Sequence, residues 1–175
     1  MTRDEWRWFV RQDGTEHCDA DDRCKAVCGE IAQALGRCGY RTDILPYPGE
    51  CGVQFRSVAQ AAGMGRTGTN AFLLHPVWGP WIQLRLLATD VVSRETLVCS
   101  SPACTRCGGC VTACPAGAIL KDSFDGLLCH SYRGGKGEYT PFGPERELKY
   151  CTICADVCPI GRQPKSSTDP FKDNR

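Results

Sequence analysis

No apolar run in this chain approaches the ~20 residues that span a bilayer, so no membrane-spanning helix is expected. The opening segment, MTRDEWRWFVRQDG, is charged throughout. It lacks the apolar core of a secretory signal, and no twin-arginine pair lies near Met1. A soluble, cytoplasmic protein with no membrane partner is the expectation. A charge excess is missing too, the formal net charge being +1. No basic surplus points to nucleic acid and no acidic run points to a tail, so no nucleic-acid partner is expected. A chain of 175 residues suits one domain, or one domain plus a small module. Cysteine is abundant: 14 residues. In a cytoplasmic chain such a number reads as metal ligands or thiols rather than disulfides.

Eight of these cysteines fall in one order: Cys104, Cys107, Cys110, Cys114, Cys129, Cys151, Cys154 and Cys158. The first four, followed by Pro115, read Cys-x-x-Cys-x-x-Cys-x-x-x-Cys-Pro, the signature of bacterial two-cluster ferredoxins. Two-residue gaps let a tight loop present three thiolates to one cubane, while the fourth cysteine of the run serves the other cluster. Cluster one is therefore assigned to Cys104, Cys107, Cys110 and Cys158. The second motif, Cys151-x-x-Cys154-x-x-x-Cys158-Pro159, is one cysteine short, and Cys129 is the natural replacement. Cluster two is assigned to Cys114, Cys129, Cys151 and Cys154. Two zinc sites are the alternative, but zinc ribbons usually use separated Cys-x-x-Cys knuckles. A helix after each Cys-Pro is expected to aim backbone N–H groups at its cluster.

Elsewhere, residues 3–10 read as a short helix. A second helix is expected over 23–35 with Val27, Ile31, Ala34 and Leu35 as its apolar face, capped by Asp19, Asp21 or Asp22 and stopped by Gly36 and Gly39. TDILPYPGE reads as an extended segment ending in a Pro-Gly turn, and residues 53–62 as a short helix. The runs at 70–75 and 81–89 read as a β-hairpin about the turn PVWGP, with Ile82, Leu84 and Leu86 opposite Gln83 and Arg85. The stretch HSYRGGKGEYTPFGPERE reads as a loop between ligands.

Gly63-Met64-Gly65-Arg66-Thr67-Gly68 matches G-x-G-x-x-G. A dinucleotide fingerprint needs a strand before it and a helix after it; here a helix precedes and a strand follows, so that reading is rejected. The segment VAQAAGMGRTGTNAFLLHPVWGPWIQLRLLATD instead resembles the corrinoid-dependent iron–sulfur reductases, the epoxyqueuosine reductases and reductive dehalogenases. The resemblance rests on Ala62, Gly63, Gly65, Gly68, Asn70, Leu73, Leu74, Gly79, Thr89 and Asp90, and on the isolated Cys129 followed by Ser131-Tyr132.

That resemblance spans about residues 23–160. It implies an α+β fold: a truncated nitroreductase-like α/β layer over 1–97, a ferredoxin-like two-cluster module over 98–162, and a flexible tail over 163–175. It implies two [4Fe-4S] clusters, with cobalamin as a further candidate cofactor and Gly63, Gly65, Gly68 and Asn70 in its vicinity. In epoxyqueuosine reductases a catalytic Asp lies in the strand–turn segment before the glycine loop. Here that segment reads PYPGECG, with Glu50 its acidic residue, and no catalytic residue is assigned. The main expectation is an electron-transfer protein delivering low-potential electrons to a corrinoid or a redox partner protein. The alternative is a cobalamin-dependent reductase completed by a dimer mate or second subunit, docked on an exposed sheet edge. Of the remaining residues, Cys18, Cys24, Cys28 and Cys38 read as packing thiols, Cys51 and Cys99 as incidental, His75 and His130 as loop residues, and Trp78 and Trp81 as packing.

Overall fold

The computed structural model describes residues 6–46, 52–92, 104–132, 139–142, 145–148 and 151–161, the segments within 139–148 as backbone only. The N-terminal segment is a strand, β1 (Trp8–Val10), not the expected helix. Bulky aromatic and β-branched side chains favour a pleated surface once a partner strand is available. β1 has two antiparallel partners: β2 (Glu16–His17), reached through a turn at Gly14, and β8 (Glu145–Leu148). β8 in turn pairs with β7 (Tyr139–Phe142), giving the order β2-β1-β8-β7. Part of the stretch expected as a loop between ligands is thus a pair of antiparallel strands, and their sheet crosses the boundary expected at residue 97.

Helix α1 (Asp19–Arg37) is longer than its apolar pattern. Cys18, rather than an aspartate, is its N-cap, the thiol accepting from the Asp21 amide at 3.4 Å. Asp19, Asp21 and Asp22 occupy the first turn, where the helix dipole favours negative charge. The helix runs through Gly36 and ends at Cys38, before Gly39 at φ 87°. Its expected apolar face is turned outward, with Val27 53% and Ile31 44% exposed. The buried face carries Ala20, Asp21 and Cys28. Asp21 accepts a bidentate pair from Arg85 (2.8 and 2.6 Å), one bond from Gln83 (2.8 Å) and an ion pair from Lys25 (2.8 Å). Residues 81–86 form no strand and are half-buried throughout, but the two polar side chains, Gln83 and Arg85, serve α1 rather than solvent.

The expected hairpin of 70–75 with 81–89 does not form. β5 (Leu73–Leu74) pairs with β4 (Arg66–Thr67), and β6 (Leu87–Thr89) pairs with β3 (Thr42–Ile44). Glycine explains the first pairing. A Cβ on Gly65 would lie 2.5 Å from the Leu74 carbonyl oxygen, and one on Gly68 would lie 2.7 Å from Leu74 Cδ1. Only glycines let the chain close so tightly on β5. Gly65→Ala is accordingly expected to cost about 1–3 kcal/mol of overpacking, read as a lower midpoint in an anaerobic thermal melt.

α2 (Phe55–Ala61) precedes this loop and buries Phe55 and Ala59. Three short helices follow among the cysteines: α3 (Gly109–Ala113), α4 (Gly126–Tyr132) and α5 (Ile153–Asp156). α3 lies before Cys114-Pro115, where a turn replaces the helix expected after it, and α5 lies before Cys158-Pro159; the helix expected after Pro159 falls mostly outside the described residues. The result is a mixed helix and strand fold whose core gathers Phe55, Ala59, Leu73, Leu74, Ala118, Ile119 and Cys158. Among the described residues no helix is long and apolar enough to cross a membrane. The Pro-Gly turn, Glu50, Cys51, Cys99 and the tail lie outside the described residues.

Candidate metal centre

Cys104, Cys107, Cys110 and Cys158 line one small cavity, together with Thr69, Asn70, Leu74 and Pro159. These four are non-consecutive in sequence. The turn that includes Arg106 (φ 53°) and Gly108 (φ 78°), both left-handed, curls the first three around the cavity. Cys158 arrives from the end of α5, where Gly161 abuts Gly79 backbone to backbone, too close for a side chain on either.

Of the other four thiols, Cys114, Cys129 and Cys151 neighbour Cys154. Burial first, and then the neighbouring Cys151, Cys129, Cys114 and Cys110, push its pKa up to about 12. So many thiols in one place resist ionising together, whereas a bound cation deprotonates a coordinating thiol outright. Cys110 feels burial first and then the charges of Cys104 and Cys107, and its pKa is raised. Because Cys110 also acts on Cys154, the two groups adjoin.

The glycine loop reaches both groups. Thr69 Oγ1 lies 3.5 Å from Cys104 Sγ, and Asn70 Nδ2 donates to the Cys154 carbonyl at 3.2 Å. Asn70 is buried and its Oδ1 also accepts from the Phe72 amide. Burial works to raise the Cys104 thiol, but the Thr69 hydroxyl and amide, the Arg106 amide and the Arg106 charge outweigh it, and its pKa is lowered. On the outer side of the loop an open cavity of about 580 Å³ is lined by Arg66, Gly68, Thr69, Cys104, Arg106 and Lys121, among others. Gly68 and Asn70 thus sit at cavities, whereas Gly63 (φ 74°) and Gly65 shape the turn. Thr69 and Arg106 escaped the sequence reading; their one signal was polarity inside a glycine-rich loop and between two ligands.

Cys18 and Cys28 are buried, Cys24 is half-buried and Cys38 is exposed. His75 Nδ1 accepts from the Val77 and Trp78 amides and its ring stacks on Trp78 at 4.6 Å, so it holds a turn. Trp81 packs edge-on against Trp6.

Fold and thiols together define a protein built to hold a pair of iron–sulfur clusters: residues 103–161 match the family described as the 4Fe-4S double cluster binding domain. Over most of its length the chain is further similar to epoxyqueuosine reductases. It is 30% identical to that of Vibrio cholerae over 152 residues, covering 81% of this chain and 38% of the relative. It is 35% identical to that of Cyclobacterium marinum over 163 residues, covering 83% and 48%. The chain thus spans less than half the length of these relatives. The same likeness holds in three dimensions. The epoxyqueuosine reductase of Bacillus subtilis, solved with its catalytic aspartate loop swung out of the active site, superposes with a TM-score of 0.62 at 21% identity, over 97% of this chain and 47% of that one. An epoxyqueuosine reductase solved with an epoxyqueuosine-modified tRNA-Tyr stem loop superposes with a TM-score of 0.63 at 22% identity, over 91% and 43%.

Proposed function

We propose that this chain is the electron-input part of an epoxyqueuosine-reductase-like, cobalamin-dependent oxidoreductase, completed by a dimer mate or a second subunit. Cys104, Cys107, Cys110 and Cys158 hold one [4Fe-4S] cluster; Cys114, Cys129, Cys151 and Cys154 hold the other. The observation that carries the reading is the glycine loop, which bonds to a cysteine of each group and lines the open cavity beside Cys104. Cobalamin, when bound, supplies a reducible cobalt centre; the chain's own part is to space the clusters, bury them and position the loop. Asp122 lines the cavity too and pairs with Arg106 at 3.7 Å, but Arg66 and Lys121 leave the lining a net positive charge suited to an anionic partner. The stem loop held by one structural neighbour supports a nucleic-acid partner despite the near-neutral charge. The outward-facing Val27 and Ile31 support a covering subunit on α1.

Titration of anaerobically purified protein with cobalamin tests this. The expected result is a shift in the corrinoid absorbance on binding, by the dimer or by the complex with its second subunit. Cluster absorbance with no corrinoid bound in either form would leave the simpler reading, an iron–sulfur electron carrier.

A further inference from the structure

We propose that the Thr69 hydroxyl is a redox-positioning group for the first cluster, donating a hydrogen bond to the Cys104 sulfur and raising that cluster's potential. The inference rests on the two-cluster reading above. A cluster-bound thiolate can only accept, so the hydroxyl at 3.5 Å must be the donor. Reduction adds one negative charge to a cluster, and a hydrogen bond to a ligating sulfur stabilises the more negative state. The environment of the second group is different. Asn70 donates there too, but to the carbonyl of Cys154 and not to its sulfur. The nearby Thr152 hydroxyl is engaged with the Asp156 carboxylate at 3.2 Å. Two adjacent loop residues thus treat the two groups unequally, one bonding to sulfur and the other to backbone. The cluster whose potential this bond raises borders the open cavity through Cys104.

Potentiometric titration followed by electron paramagnetic resonance tests the assignment, with iron content measured alongside. Thr69→Val is expected to lower the midpoint of one cluster by up to about tenfold in its equilibrium constant, or about 59 mV for one electron. The other midpoint should stay put, and Thr69→Ser should restore the first. The shifted signal should be the one that Cys104→Ser perturbs. Where the valine variant fails to assemble, Thr69→Ala removes the same hydroxyl without added bulk. Equal shifts in both clusters, no shift, or a serine variant that behaves like valine would overturn the proposal. So would loss of the first cluster from both valine and alanine variants, which would make Thr69 an assembly residue. Zinc in place of iron in the unaltered protein would instead sink the cluster reading itself.

Discussion

Cys158→Ala is expected to cut the iron of anaerobically purified protein from about eight atoms to about four, the loss of one cubane. The informative part is which cluster goes. Cys158 lies four residues from Cys154 in sequence, yet it lines a cavity with Cys104, Cys107 and Cys110. Its removal should therefore abolish the same spectroscopic signal as Cys104→Ala, and the double variant should lose no more iron than either single one. Cys129→Ala should abolish the other signal, because Cys129 acts on Cys154 together with Cys151 and Cys114. If Cys158→Ala and Cys129→Ala removed the same cluster, the crossed pairing would be wrong.

Asp21→Ala is expected to destabilise the fold by about 3–5 kcal/mol, the cost of taking one partner from a buried ion pair. Its side chain is 0% exposed and that of Arg85 only 5%, so the guanidinium would keep its charge in a site shaped for a carboxylate. A chemical denaturation midpoint, compared between variants at pH 7, reads this loss. The same group sets a pH dependence. Burial pulls the Asp21 pKa upward, but the bonds from Arg85 and Lys25 prevail and hold it below its ordinary value. A carboxyl with a depressed folded-state pKa contributes stability in full above its unfolded value near 3.9, and loses it as pH falls through the lower folded value. The acid limb of the stability curve should therefore shrink in Asp21→Asn, which cannot titrate there.

Spacing along the chain already carried much of the metal centre. Short gaps bring Cys104, Cys107 and Cys110 to the cavity that Cys158 also lines, whereas Cys129 could be named from sequence only as the replacement for a missing ligand. The helices over 19–37 and 55–61 were legible for a similar reason, being made of contacts within a few residues. The pairing of the strands was not: β3, β5 and β6 lie in segments that read as extended, but each strand has two to four residues, too few to fix a register, and β1–β8 and β3–β6 join distant parts of the chain. Val27 and Ile31 misled because helical periodicity finds an apolar stripe without saying what it faces. The buried side instead carries Asp21, answered by Arg85 from 64 residues away. Thr69 could be found only once folding had set it beside Cys104.

The pairing of Trp8 with Leu148 has a consequence for how the protein is made. At about 5–20 residues per second, a ribosome needs on the order of ten seconds to travel from one of these strands to the other. Throughout that interval Trp8, Phe9 and Val10 have only the two-residue β2 to pair with, and an apolar edge of this kind recruits strands from other chains. Translation rate and chaperone supply should therefore govern the yield of correctly folded chains as much as the supply of iron and sulfide.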